Sequence, residues 1–275
     1  MSITVSPAEL YEMIYQGMGS VVLFSHWEKD EGGGLRHYHS EHIPTAHFCD
    51  PARSLAGLPG SAAGRNPLPE LSYVQASFDG WGLRSDRPVI VYDGGRGLWA
   101  SRAWWTLRWA GVEDVRILDG GQEAWEKAGH KIVGGPGNIT ATDSDMTAKL
   151  GSMPTATIDD VRAHNGILLD VRDCRRFVGE REILDLKAGH IPGAVNLPVT
   201  DLLNEDFTFR TPEEIRARLA EVGVTDGADV IVYSGSGNHS SQALAAMEIA
   251  GIHGVRHYIG GWSQWAADPK NPVER

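Results

Sequence analysis

The chain has little cysteine: two residues in 275, Cys49 and Cys174, with no CxxC pair. Two thiols cannot build a disulfide framework, so a reducing compartment is expected, the cytoplasm. Positive charge is also scarce. Lys plus Arg number 25 against 36 Asp plus Glu, a formal net charge of −11. Such a surface repels nucleic acid and anionic lipid, and neither is expected as a main partner, although a local positive pocket can still take a small anion. No apolar run approaches the roughly 20 residues that span a bilayer. The first residues, Met1 to Val5, have neither the basic region nor the apolar core of a secretory signal. What is present is ordinary for a packed protein: 41% hydrophobic and 22% charged residues, too apolar to stay disordered. At ~150 residues per domain, the length suggests about two domains.

Gly-rich turns alternate with short aliphatic runs and helical stretches, which predicts an α/β fold with a mainly parallel sheet. The pattern also repeats itself. Val89-Ile90-Val91-Tyr92 returns as Val230-Ile231-Val232-Tyr233, an offset of 230 − 89 = 141. Gly120-Gly121 with Trp125 returns as Gly260-Gly261 with Trp265, offset 260 − 120 = 140. His42-Ile43-Pro44 returns as His190-Ile191-Pro192, offset 190 − 42 = 148. Ser6-Pro7-Ala8-Glu9 reads as a capping box opening a helix, Thr157-Ile158-Asp159-Asp160 as a weaker version, and Thr211-Pro212-Glu213-Glu214 as a third such start. Signals kept in one order at nearly one offset indicate a duplicated domain. The expected division is an N-terminal domain over 1–133, a Gly- and Pro-rich linker over 134–153, and a C-terminal domain over 154–275, each half long enough for its own core.

The segment after the second VIVY strand carries the chemistry. Ser234-Gly235-Ser236-Gly237-Asn238-His239-Ser240 leads into a small-residue helix expected over 242–250. A strand, a Gly loop and a helix start bring backbone N–H groups together, a cradle for an anion or for a nucleophile that becomes anionic. The matching loop of the first half is Asp93-Gly94-Gly95-Arg96-Gly97. Its carboxylate stands where the second half has Ser234, and it would repel an anion, so the first half is expected to be inactive. Three other Gly-loop motifs do not fit. A P-loop needs Lys and Ser or Thr after its second Gly; the dinucleotide fingerprint needs Gly where Ser240 stands; the hydrolase elbow needs Gly where Val232 stands.

At these residues the chain resembles the two-domain rhodanese-type sulfurtransferases, the thiosulfate and 3-mercaptopyruvate sulfurtransferases. The resemblance covers almost the whole chain. It rests on Glu41 to Asp50, Gly64 to Pro69, Ser101 to Trp105 and Leu118 to Gly121 in the first half. In the second half it rests on Leu168 to Arg172, Arg176 to Glu180, Ala188 to Asn196 and Tyr258 to Ser263. It implies two tandem rhodanese-like domains, each a mainly parallel sheet flanked by helices, with the active loop in the C-terminal one. It also implies transfer of a sulfane sulfur from a small anionic donor, thiosulfate or 3-mercaptopyruvate, to cyanide or another thiophilic acceptor through a cysteine persulfide. No cofactor or metal is implied.

At the nucleophile the sequence departs from the family. The family loop begins with Cys; here that position is Ser234, while Gly235-Ser236-Gly237 matches the mercaptopyruvate type. A low-pKa thiolate can accept and release sulfur; a serine hydroxyl cannot, so the chain as written is expected to be inert in sulfur transfer. Ser234 is then either a replacement in an otherwise active enzyme or the residue of a natural anion- or persulfide-binding pseudo-enzyme. A serine hydrolase built on Ser234 and a nearby His is a third, weaker alternative. By resemblance Ser234 takes the catalytic position, and Arg176, Gly235, Ser236, Gly237, Asn238, His239 and Ser240 bind substrate. The family's further Arg, Asp and His positions hold Asp185, Ala52 and Asn66, which weakens the mercaptopyruvate assignment. His239 reads equally as a substrate donor or as an exposed helix-start residue. Cys174, beside Arg175 and Arg176, and Cys49, in an apolar turn, read as structural thiols. His37, His39, His42 and His47 crowd into a short stretch, yet no helix or strand spacing brings three of them together, so no metal is expected there. Trp99, Trp104, Trp105 and Trp109 fall at helical spacings and read as core or domain interface.

Overall fold

A computed structural model describes residues 2–17, 19–138 and 144–275. The middle of the expected linker, 139–143, lies outside the described residues, as do Met1 and Met18. The chain forms two compact units. The first comprises Met1–Ala56, Pro69–Met153 and Glu205–Thr208; the second comprises Gly57–Leu68, Pro154–Asn204 and Phe209–Arg275.

The first unit is a parallel sheet of five strands, β1 (Thr4–Val5), β2 (Val21–Ser25), β3 (His47–Cys49), β4 (Val89–Tyr92) and β5 (Val115–Leu118), in the order β1-β5-β4-β2-β3. Its helices are α1 (Pro7–Tyr15), α2 (Gly33–Ser40), α3 (Pro51–Ser54), α4 (Leu71–Trp81), α5 (Leu98–Trp109) and α6 (Gly121–Lys127). The second unit has β6 (Ile167–Asp170), β7 (Val195–Asn196), β8 (Val230–Tyr233) and β9 (Arg256–Tyr258), parallel in the order β7-β6-β8-β9. Its helices are α7 (Ile158–Ala163), α8 (Cys174–Phe177), α9 (Pro212–Glu221), α10 (Asn238–Ile249) and α11 (Gly261–Ala267). A parallel bridge from Thr155 to His257 is the remnant of a fifth strand, 155 − 4 = 151 residues after the start of β1. Among the described residues no helix is long and apolar enough to cross a membrane.

The local chemistry explains these elements. Every residue of β2, β4 and β8 is buried, as parallel strands covered on both faces require. Three helix starts are full capping boxes: Ser6 with Glu9, Thr157 with Asp160, and Thr211 with Glu214. The Thr157 start is thus as complete as the other two. The His-Ile-Pro turns are tied down identically. Tyr92 Oη accepts from Ile43 N at 2.9 Å, and Tyr233 Oη from Ile191 N at 3.3 Å. His42 Nδ1 meets Tyr38 O at 2.6 Å and His190 Nδ1 meets Phe177 O at 2.9 Å. Each histidine also exchanges two backbone bonds, with Val133 and Glu274 respectively. Trp104, Trp105 and Trp109 are buried in the first unit.

Topology locates the reactive end of each sheet. From β6 the chain goes out to β7 and then returns across β6 to β8 on its other flank. Loops leaving the carboxyl ends of β6 and β8 therefore part, opening the crevice where α/β sheets take ligands. In the first unit the same reversal separates the loops after β2 and β4.

Candidate functional site

Ser234 follows β8 directly and is fully buried. Gly237 adopts φ +88°, a left-handed conformation that turns the chain straight into α10. Asn238, His239 and Ser240 therefore form the first helical turn, four residues before the start expected from sequence. The Gly237 amide donates to Ser234 Oγ at 3.2 Å. Ser234 Oγ lies 3.1 Å from Ser240 Oγ, which lies 2.6 Å from His257 Nε2 on β9; all three residues are buried. The loop is pinned from below by α11: Trp262 N donates to Ser234 O at 2.8 Å and Ser263 N to Gly235 O at 2.9 Å. Gly261 permits this contact, since a Cβ there would collide with the Ser234 carbonyl. Trp262 also packs under Arg172, whose guanidinium carbon is 4.7 Å from the ring centroid.

Two guanidinium groups stand over the loop. A Cβ on Gly235 would lie 3.0 Å from Arg65 Nη2 and 3.2 Å from Arg176 Nη1. Arg176 comes from α8, beyond the carboxyl end of β6, and Arg65 from the 57–68 segment of the same unit. Arg176 Nη2 bonds both oxygens of Glu182, at 3.1 and 2.9 Å, and Asp185 at 3.2 Å; Arg65 pairs with the other Asp185 oxygen. Burial alone would raise the pKa of Glu182, but the Leu184 and Asp185 amides together with Arg176 outweigh it and hold the carboxyl below its ordinary value. Asn66 Nδ2 donates to Ser236 Oγ at 2.8 Å. His239 is open to solvent yet hemmed in by protein; desolvation, with Arg176 adding to it, lowers its pKa against the pull of Asp173. This arrangement can hold a small anion between two arginines and a loop amide.

The first unit carries the same cradle, filled by its own side chain. Asp93 Oδ1 accepts from the amides of Gly95 at 2.9 Å and Gly97 at 3.0 Å, and Oδ2 from Trp99 at 2.9 Å and Ala100 at 3.2 Å. The support below is duplicated too: Gln122 N donates to Asp93 O at 2.9 Å, beside Gly121. The carboxylate is stabilised by these amides. The reason for expecting no anion site here therefore gains a second part: the amides are occupied, besides the repulsion.

The structure brings Ser234, Gly237 and Ser240 into one bonded chain, Gly235 under Arg176, and Ser236 onto Asn66. Sequence reasoning passed over Arg65, Glu182 and His257. Arg65 stands in the Gly64 to Pro69 segment, but its partnership with Asp185 spans 120 residues. Cys49 is buried, which pushes its thiol pKa up, and Cys174 is exposed at the start of α8. A groove of about 790 Å³ in the second unit, lined by residues including Arg162, His164, Trp265 and Asp268, contains none of the loop residues.

Comparison with known proteins gives a consistent pattern. The rhodanese-like domain matches residues 6–128 and again 155–268. SseB of Mycobacterium tuberculosis, provisionally named a thiosulfate sulfurtransferase, is 38% identical over 278 residues, covering 99% of this chain and 97% of that protein. A Pseudomonas aeruginosa protein named a probable 3-mercaptopyruvate sulfurtransferase is 39% identical over 250 residues, 89% of this chain and 88% of that one. The crystal structure of the 3-mercaptopyruvate sulfurtransferase SseA from Escherichia coli superposes with a TM-score of 0.83 at 28% identity, covering 96% of this chain and all of that one.

Proposed function

Since the chain belongs to the rhodanese family, with two rhodanese-like domains and sulfurtransferase relatives over nearly its full length, we propose that it is a sulfurtransferase scaffold of the thiosulfate or 3-mercaptopyruvate class in which Ser234 takes the sulfur carrier's place. The observation that carries this reading is the Gly237 amide directed at Ser234 Oγ, with the Arg65 and Arg176 guanidiniums over the adjacent Gly235. With cysteine at 234, the amide and the two positive charges favour the thiolate. The thiolate attacks the outer sulfur of thiosulfate, the sulfur–sulfur bond breaks, and sulfite leaves with the bonding pair. The resulting persulfide gives its terminal sulfur to cyanide, yielding thiocyanate and restoring the thiolate. A hydroxyl at 234 is un-ionised near neutrality and cannot enter this cycle, so the chain as written binds the donor without turnover. An incoming anion must also compete with Glu182 and Asp185 for the arginines.

The test is Ser234→Cys, with thiocyanate production followed from thiosulfate and from 3-mercaptopyruvate in the presence of cyanide. Turnover with at least one donor, absent in the parent chain, is expected. A folded variant silent with both donors defeats the reading. Calorimetry of the parent chain with thiosulfate is expected to show binding that Arg176→Gln weakens. In the hydrolase alternative His257 would reach Ser234 through Ser240 Oγ, which stands between them. Labelling by a fluorophosphonate is expected to fail.

A further inference from the structure

The switch-point crevice of the first unit holds a different set of groups from that of the second. Strand register equates β2 with β6, since Phe24 stands opposite Tyr92 as Asp170 stands opposite Tyr233. Two residues beyond those positions the second unit has Arg172 and the first has His26. Glu28 follows two residues later, and His37 comes from α2. Glu28 Oε1 lies 3.1 Å from His26 Nε2 and 3.3 Å from His37 Nδ1, and all three donor atoms lie within 4.8 Å of one another. The His26 and His37 ring centroids are 4.6 Å apart.

We propose that His26, Glu28 and His37 form a binding site for a divalent transition-metal cation of the zinc class. Three arguments carry this. The first is spacing. With metal–ligand bonds of about 2.0–2.2 Å, ligand atoms at the corners of a tetrahedron stand roughly 3.3–3.5 Å apart, so the two measured separations need change by only a few tenths of an ångström. The second is the outer shell. On the far side of the His37 ring, Nε2 lies 3.4 Å from Glu41 Oε1, one helical turn along. A carboxylate there can take the N–H of Nε2 when Nδ1 binds a cation, the carboxylate–histidine–metal arrangement. The third is the way the loop is built. Gly33 and Gly34 open α2, where a Cβ would strike the Glu28 side chain and the His26 carbonyl respectively. Both glycines let the helix approach closely enough for His37 to meet the other two. Two imidazoles and one carboxylate suit zinc, and they discriminate against magnesium and calcium, which prefer all-oxygen ligands. The three residues are half-buried, partly desolvated yet open to an ion and to a water as fourth ligand. The histidine window read from sequence, 37–47, missed the site because two of its three members lie outside it; only His37 belongs.

The experiment is zinc titration of the full chain by calorimetry, with magnesium as control. Glu28→Gln, His37→Ala and His39→Gln are compared with the parent chain, and Cys174→Ser removes the exposed thiol as a rival ligand. One zinc per chain is expected, retained in Cys174→Ser and His39→Gln. The affinity should fall in Glu28→Gln and His37→Ala by more than the about 10–100-fold typical of losing an outer-shell partner. Zinc should raise the melting temperature of the parent chain and leave that of Glu28→Gln unmoved; this near-isosteric change guards against a His37→Ala variant that merely unfolds. Absence of zinc binding, equal binding in Glu28→Gln, or loss of binding in Cys174→Ser overturns the proposal. A Glu28 bridging two histidines by protons alone would give the first of these results.

Discussion

Asp93→Ala tests whether the loop after the central strand is an anion cradle by its backbone alone. In the parent chain the Asp93 carboxylate takes four amide hydrogen bonds. Those from Gly95 and Ala100 are buried, while those from Gly97 and Trp99 are half-buried. Truncation lets water return to the second pair. The first pair is left without an acceptor, and each buried orphan costs about 1–3 kcal/mol, for a total of roughly 2–6 kcal/mol. Asp93→Asn keeps the shape and one acceptor oxygen, so its loss should be smaller. Seven of the nine tryptophans, Trp27, Trp81, Trp99, Trp104, Trp105, Trp109 and Trp125, lie in the first unit, so intrinsic fluorescence in urea reports mainly on it. The midpoint should fall with the slope unchanged. Sulfate should then restore part of the loss in Asp93→Ala beyond its general salting effect on the parent chain, because a dianion can occupy the vacated amides. A loss under about 1 kcal/mol, or a sulfate response equal to that of the parent chain, would refute the reasoning.

Arg172 is buried against Asp170, with Nη2 at 2.6 Å from the carboxylate and 2.7 Å from Gly189 O. Arg172→Met should destabilise by about 3–5 kcal/mol, because it strands a buried carboxylate; thermal melting should show a fall of roughly 6–20 °C. The Glu182 carboxyl is held low, so its contribution to stability is present above the unfolded value of about 4.3 and is lost as pH falls through the folded one. A carboxyl carbon titration by NMR should place its midpoint below that of a free Glu, and a midpoint at or above it contradicts the network. His239 should titrate below the ordinary histidine value, and Arg176→Gln should shift its NMR midpoint upward; no shift would mean that Arg176 does not act on it.

Much of this architecture was legible because it is local or duplicated. The VIVY runs announce buried strands through their composition alone. The three capping boxes need four consecutive residues each, and all are present. The His-Ile-Pro turns repeat in sequence, while the tyrosines that hold them, Tyr92 on the Ile43 amide and Tyr233 on the Ile191 amide, are visible only in the fold. Two kinds of feature stayed hidden. One is conformational: nothing in Gly237-Asn238-His239 distinguishes a loop from the first turn of α10 until the left-handed φ of Gly237 is known. The other is long-range. Arg65 meets Asp185, Asn66 meets Ser236 and Ser240 meets His257 across separations that no motif encodes. His26 and His37 fall between these kinds, close in sequence yet on different elements, where neither strand nor helix periodicity relates them.

The duplication also isolates what decides which half can act. Both halves share the central strand, the loop, the glycine that lets the support helix approach, and the backbone bond from that helix to the first loop carbonyl. The backbone is therefore common property, and the side chain at the loop's first position makes the difference. Aspartate is long enough and charged enough to draw four amides onto itself, so the first cradle is saturated from within. Serine reaches the Gly237 amide and its neighbour Ser240, carries no charge, and leaves the overhead arginines to balance against Glu182 and Asp185. A thiol is similar in shape to the hydroxyl but ionises near neutrality, so at position 234 it would bring a negative charge to a loop that lacks one. Cysteine is thus the small residue that can use the unfilled cradle chemically without closing it, as aspartate does. The same reasoning predicts that Asp93→Cys would place a thiol over an equivalent set of amides. That thiol would still lack the overhead charges: among the described residues a Cβ on Gly94, the counterpart of Gly235, would meet His26 Cε1 at 3.9 Å and no guanidinium. Its pKa, read by the pH dependence of alkylation, should accordingly lie above that of the thiol in Ser234→Cys. An equal or lower value would mean that the amides, and not the arginines, set the acidity of the site.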